Sequence, residues 1–323
     1  MTRAPALHNL HGLTMGTTWS VRVVVPQSIP LDALQYGIQD QLDRVDEQMS
    51  TYKPASALSC FNAASTGWYE LRAEFFEVVS HAIWLASDSG GAYDPTVGPL
   101  VNLWGFGPGQ RARERPSADA IAEAHGRIGW WKIKLDPTTR QAFQPGGIQL
   151  DLSSVAKGYS VDQVGRWLDR MGATAWLVEV GGELKGYGIK PDGMPWRIGI
   201  ERPDAAAGAV ERVDQLECTL ALSGRAIATS GDYRHHYEDG GQVYSHHIDP
   251  RDGRPVPHAV ASVSVLARDA LQADPLGTTM TILGPEQGLA YAEARGLAVL
   301  FILRGEHGLY ERMSAAFAAA LRA

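Results

Sequence analysis

Hydrophobic positions recur along this chain with two periods, and the switches between them mark its elements. Residues 14–25 alternate, are rich in β-branched side chains and end at Pro26, which predicts a strand entered through Met15-Gly16-Thr17-Thr18. Leu34, Ile38, Leu42, Val45 and Met49 then recur every three or four positions and describe one face of a helix. Asp32 is placed to cap its start, and Ser50-Thr51-Tyr52 ends it. A second helix turns Phe75, Val78, Val79, Ala82 and Ile83 inward and stops at Gly90-Gly91. Residues 131–135 and 148–152 read as extended. Val161, Val164, Trp167, Leu168 and Met171 form a helical face closed by Gly172, and 176–180 reads as the next strand. From 196 to 266 β-like runs dominate, at 196–200, 218–222, 243–248 and 261–266. Helices follow over 269–283 and 285–295, then a strand over 298–303 and an amphipathic end carrying Met313, Phe317 and Leu321. Strands and helices without steady βαβ alternation predict an α+β fold.

Composition narrows the class. With 323 residues, the chain is about twice the usual single-domain length, so two sub-domains or one large mixed domain are expected. Hydrophobic residues at 45%, charged residues at 20%, and 35 Gly with 18 Pro describe a folded, turn-rich protein and exclude a disordered or fibrous one. The net charge of −7 gives no electrostatic reason to bind nucleic acid or an anionic membrane. The densest apolar run, 297–303, is far short of the roughly 20 residues a spanning helix needs. Cys60 and Cys218 allow at most one internal disulfide and form no CxxC metal motif. Residues 1–10 carry neither a charged-then-apolar export signal nor a lipid-acceptor cysteine. The chain is therefore expected to be either cytoplasmic or a mature form freed of its signal.

Several segments carry chemistry. No GxxxxGK[ST] loop is present, and Gly186-Tyr187-Gly188 lacks the third glycine of a dinucleotide fingerprint. Asp151-Leu152-Ser153-Ser154-Val155-Ala156-Lys157-Gly158-Tyr159 sets an acid, hydroxyls and a lysine where extended chain turns into helix, a place that favours phosphate. The competing assignment is a helix cap by Asp151 or Ser153 with Lys157 solvated. Gly90 to Pro99 joins a helix to extended chain with small residues, either a simple turn or a close approach to a ligand, and Gly181-Gly182 either admits a flat ring or ends a strand. His246 lies where a strand runs into a turn and could take a proton from a hydroxyl. In a strand, only one member of each pair His235-His236 and His246-His247 would face a given site. Asp274 and Thr278 share a helical face and offer hard oxygens suited to magnesium, although Pro275 also suits Asp274 to a capping position.

Seven blocks stand in a characteristic order from 13 to about 303. They are Met15-Gly16-Thr17, Met49-Ser50-Thr51-Tyr52, Ala92-Tyr93-Asp94-Pro95-Thr96-Val97-Gly98-Pro99-Leu100-Val101, Asp151-Leu152-Ser153 with Lys157-Gly158-Tyr159, Thr229-Ser230-Gly231-Asp232-Tyr233, Ser245-His246 with Ile248-Asp249-Pro250, and Ala273-Asp274 with Thr278. This set resembles the ApbE family of FAD:protein FMN transferases. The resemblance implies a T-fold-like α+β architecture of largely antiparallel sheets with packed helices. It divides the chain into an N-terminal extension (1–12), a flavin-transferase domain (13–304) with FAD between two sub-domains, and a C-terminal helical extension (305–323). It implies magnesium-dependent transfer of FMN from FAD to a Thr or Ser hydroxyl, with release of AMP.

Flavin contacts carried over from the family fall on Met15, Tyr52, Ala92, Tyr93, Asp94, Asp151, Lys157 and Ser245. Metal positions fall on Ser154, through its carbonyl or hydroxyl, and on Asp274 and Thr278. In this frame His246 is the expected general base, oriented by Asp249 or Asp232, while Tyr52, Tyr93 and Trp104 are the expected ring partners. The implied target is a membrane-associated redox protein, which favours a periplasmic location. Three alternatives share these residues: an FAD pyrophosphatase with water as nucleophile, a non-catalytic flavin-binding or delivery protein, and a histidine-based metallohydrolase.

Overall fold

The computed structural model describes residues 6–108, 114–203, 216–231, 236–257 and 259–322. Strands β1 (Ala6–Thr14) and β2 (Thr17–Val25) pair antiparallel along their whole length around Met15-Gly16. The expected strand is thus the second arm of a hairpin. Its first arm carries His8, Asn9 and His11, which hide the alternation. Helix α1 (Leu31–Met49) buries Leu34, Ile38, Leu42, Val45 and Met49, as their spacing predicts. Pro30 occupies its N-cap, so Asp32 lies inside the first turn and does not cap it.

Helix α2 (Ala57–Ala63) is capped by Ser56 and leads through β3 (Gly67–Glu70) into α3 (Ala73–Asp88). Next come α4 (Gly98–Leu103), α5 (Ala118–Gly126), β4 (Lys134–Asp136) and β5 (Gln141–Gln144), with β3, β5 and β4 forming a small sheet. Two expected strands differ here. Trp130–Lys132 is a 3-10 turn. Residues 148–152 join no ladder because side chains take their backbone groups: Asn62 pairs with both N–H and C=O of Leu150 at 2.8 Å, and Gln144 donates to the Ile148 carbonyl.

Helix α6 (Ala156–Arg170) is followed by the hairpin β6 (Ala175–Val180) and β7 (Glu183–Tyr187), then β8 (Trp196–Glu201), β9 (Leu216–Leu222) and β10 (Arg225–Gly231). Gly181-Gly182 is the two-residue turn of the hairpin, with φ 61° and 105°, values that glycine adopts without strain. Short strands β11 (His236–Asp239), β12 (Gln242–Ser245), β13 (Ile248–Asp249) and β14 (Arg254–Pro255) precede β15 (Val260–Ala267). Helix α7 (Ala270–Arg295) breaks at Gly284, just before Pro285, which accounts for the two helices expected there. Strands β16 (Ala298–Gly305) and β17 (Gly308–Met313) and helix α8 (Ala315–Ala320) complete the described chain.

Eight strands form the main sheet in the order β1-β2-β6-β7-β10-β15-β16-β17, every neighbouring pair antiparallel, as the α+β reading requires. Alternate residues of β16 enter different cores. Val299, Phe301 and Leu303 meet α3 and α7 on one face, while Ala298, Leu300 and Ile302 meet Phe317 on the other. Covering both faces explains why 297–303 is continuously apolar. The ends of the chain depart from the expected extensions: β1 is a full sheet strand, and β17 pairs with β16, leaving helix only at 315–320. A separate apolar cluster joins Leu100, Trp104, Ile121, Ala124 and Ile128 to Tyr237, Tyr244 and Ile248. No helix among the described residues is long and apolar enough to cross a membrane, and Cys60 and Cys218 are not joined in a disulfide.

Candidate functional site

The first turn of a helix leaves backbone N–H groups without intrahelical partners. Neither α6 nor α7 has a side-chain cap of its own. Each is completed by the other. Asp274 of α7 accepts the Gly158 N–H of α6 at 2.9 Å through Oδ2, and Asp162 of α6 accepts the Leu271 N–H of α7 at 2.8 Å. Both capping assignments read from sequence are therefore corrected. Val155 is the N-cap of α6, while Asp151 accepts the Ser153 N–H. Asp269 is the N-cap of α7, so Asp274 and Pro275 lie inside the helix.

The helices meet closely at Gly158. A Cβ there would lie 2.2 Å from the Ala270 carbonyl oxygen and 2.7 Å from Asp274 Cβ. Gly158→Ala is expected to push the helices apart and cost about 3 kcal/mol in a urea melt, the scale of core overpacking. Asp162 is buried, and its other oxygen meets Lys185 Nζ at 2.8 Å; Lys185 also reaches Asp269 at 2.7 Å. Burial raises the Asp162 pKa against the pull of Lys185. Asp162→Ala leaves the Leu271 N–H without its acceptor and Lys185 with Asp269 alone, and a loss of about 2 kcal/mol is expected by the same melt.

This junction gathers oxygen donors. Tyr93 is buried, and its hydroxyl accepts from Ser154 Oγ at 3.3 Å. Burial raises the Tyr93 pKa, and the negative charges of Asp274, Asp151 and Asp94 add to the rise. Burial likewise raises Asp274, opposed by Lys157 and the Gly158 N–H. Lys157 stands in the first turn of α6 with its Nζ 2.5 Å from Glu183 Oε1. Burial would lower its pKa, but Asp274 and Glu183 overcome that and hold the proton on the lysine. Burial pushes the Glu183 carboxyl up, although Lys157 opposes the shift.

A hard divalent cation fits this donor set. Asp274 Oδ2 is used by Gly158, while Oδ1 has no hydrogen bond among the described residues. Thr279 and Thr281 donate their hydroxyls to the Pro275 and Gly277 carbonyls, whereas Thr278, one helical turn after Asp274, makes no such bond. One carboxylate with neutral oxygens, leaving room for water and phosphate, suits magnesium. Among the described residues no three His, Cys, Asp or Glu side chains are grouped so as to hold a metal ion by themselves.

The ApbE family profile matches residues 15–301. The chain belongs to the ApbE family. It is 39% identical over 316 residues to the FAD:protein FMN transferase of Haemophilus influenzae, covering 96% of this chain and 90% of that protein. The apo crystal structure of the Pseudomonas stutzeri flavinyl transferase ApbE superposes with a TM-score of 0.89 at 37% identity, covering 99% of this chain and 98% of that one. The Vibrio cholerae flavin transferase ApbE gives 0.87 at 37% identity, with 98% of this chain and all of that one covered.

Against the family motifs, the structure gathers some residues and gives others different work. Met15 sits at a positive φ of 44° in the β1–β2 turn and packs on two cores. Tyr52 is exposed and available to a ring, whereas the Tyr93 ring is part of the core and offers its hydroxyl instead. Trp104 is also core: it is buried and donates to the Gly253 carbonyl, so it is not a ring partner. Ala92 is buried against Val256 and Ile282. Asp94 shapes its loop, accepting from the Thr96 N–H and hydroxyl and the Trp130 N–H; burial raises its pKa against those bonds. Asp151 is half-buried, its N–H held by the Pro95 carbonyl.

Ser245 ends β12, and His246 and His247 follow it in the bend before β13. Ser245 is buried, with Oγ 3.3 Å from His247 Nδ1. The expected alternation of the two histidines fails because the chain bends between β12 and β13, which brings their rings 3.9 Å apart. The His246 ring lies edge-on to Phe106, centroids 6.2 Å apart. Asp249 does not orient His246. Both its oxygens accept from Arg251 instead. The other expected orienting group, Asp232, lies outside the described residues, as does His235. Sequence reading missed Glu183 and Asp162. The only signal was an acid at an inward-facing position, Glu183 immediately after Gly181-Gly182 and Asp162 between Val161 and Val164.

Proposed function

We propose that this chain is a flavin transferase that moves the FMN moiety of FAD onto a Thr or Ser hydroxyl of a redox protein and releases AMP. The observation that carries this reading is the junction of α6 and α7. There the ammonium of Lys157, the N-terminal turn of α6 and the oxygens of Ser154 and Asp274 gather, with Thr278 one helical turn after Asp274, a set that suits a pyrophosphate with a divalent cation. Magnesium held by those three residues would supply Lewis-acid polarisation of the phosphate oxygens. Tyr52, Met15, Ala92 and Ser245 would line the rest of the FAD site, with Asp94 and Asp151 shaping its loops.

The protein's work is positioning and proton transfer. Lys157 orients the phosphate oxygens and offsets their charge. His246 takes the proton from the acceptor hydroxyl as that oxygen bonds to the phosphorus of the FMN half; the bond from that phosphorus to the bridging oxygen breaks, and AMP departs. The reading places the reaction in the periplasm on a membrane-associated redox subunit, as the family resemblance implies.

The test is intact mass spectrometry of an acceptor domain incubated with this protein, FAD and magnesium. A gain equal to FMN less water, lost on chelation, supports transfer. FMN and AMP released without a gain would make the protein a pyrophosphatase, and FAD left intact beside a competent acceptor would make it a binding protein.

A further inference from the structure

Lys157 lies between two buried carboxylates but bonds to only one. Its Nζ is 2.5 Å from Glu183 Oε1, and it has no hydrogen bond to Asp274, although the Asp274 charge acts on it strongly. Both acids are almost fully enclosed. The second oxygen of Glu183 is buried with no hydrogen-bond partner. Asp162 shows what a purely structural pair looks like in this fold: one oxygen on Lys185, the other on the Leu271 N–H, and nothing left over. Glu183 instead spends its burial on a single contact.

The surroundings aim that contact. Lys157 occupies the first turn of α6, where the helix dipole disfavours a cation, so its placement depends on nearby anions. Its stem passes the β6–β7 turn; a Cβ on Gly181 would lie 3.3 Å from Lys157 Cδ. Glu183 opens β7 directly after that turn, so one rigid hairpin sets both the stem and the head of the lysine. Without the Glu183 charge, Asp274 is the anion that acts most strongly on the ammonium.

We infer that Glu183 is a positioning residue that holds the Lys157 ammonium off Asp274, keeping the Asp274 carboxylate available to a divalent cation while the lysine faces the phosphates. This rests on the metal-site reading proposed above. It assigns Glu183 neither contact with substrate nor a share in the metal.

Titration of the apoprotein with Mn2+ alone, following free Mn2+ by electron paramagnetic resonance, tests it without turnover. Wild type is expected to bind Mn2+ and Asp274→Asn to lose it. Glu183→Gln, nearly isosteric, is expected to weaken binding about tenfold or more, the scale of lost outer-shell support. Lys157→Met is expected to bind no more weakly than wild type, and Glu183→Gln with Lys157→Met to recover to within about threefold of it, because the competing cation is gone. That recovery is what a merely structural or ligating Glu183 would not produce. Wild-type affinity in Glu183→Gln, or a double variant as weak as the single, overturns the inference while leaving the metal site standing. Weakened binding in Lys157→Met overturns it even if Glu183→Gln does not fold. Binding indifferent to Asp274→Asn removes the metal site, and the inference with it.

Discussion

Asp274→Asn is expected to lower FMN transfer by about a thousandfold or more while the protein stays folded. The side chain is buried, and Oδ2 accepts the Gly158 N–H, a bond the Asn carbonyl oxygen can keep. What the substitution removes is the carboxylate charge at the proposed cation site. Electrophilic assistance of this kind is worth several kcal/mol, and about 4 kcal/mol corresponds to a thousandfold in rate. Burial raises the Asp274 pKa, so neutralising it removes a desolvation cost, and thermal unfolding should show little or no loss of stability. Transfer within about tenfold of wild type at saturating magnesium would remove Asp274 from the metal site and leave it as the cap of α6. Asp274→Ala is a poorer probe, since it also strands the Gly158 N–H.

His246→Ala is expected to reduce transfer about a hundredfold or more with FAD affinity nearly unchanged, the usual contribution of a positioned general base. The ring has apolar support from Phe106, which the alanine leaves in place, so a local effect is expected. Single-turnover transfer measured beside equilibrium FAD binding separates the roles. Transfer within about threefold of wild type would exclude His246 as the base, because general-base help is larger than that. Loss of FAD binding with proportionate loss of transfer would make it a ligand contact. Partial rescue by added imidazole would support a proton-transfer role directly.

Much of the fold is legible because burial on one face writes a local period into the sequence. The inward residues of α1 and the alternation of β2 need only neighbours within the element to be read. Elements fail to show where their partners are distant or unusual. Strand β1 carries polar residues along a sheet edge. Residues 148–152 look extended yet join no sheet, since Asn62 and Gln144 take groups a neighbouring strand would have used. The histidine pair obeys no strand rule because a bend separates β12 from β13.

The site divides the same way. By itself the sequence determined the α+β class, the principal helices and strands, and the ordered motifs that place the chain in the ApbE family, since these depend on residue type, spacing and order. Only the tertiary structure decided what the acids do. Asp274 caps a helix 116 residues away and not its own, Asp162 returns the favour across 109, Asp249 serves Arg251, and Glu183 holds Lys157. A carboxylate carries no local signature of its partner. Which N–H or ammonium it meets is set by how the chain packs, and here the side-chain-free surface of Gly158 lets α6 and α7 approach closely enough to exchange caps.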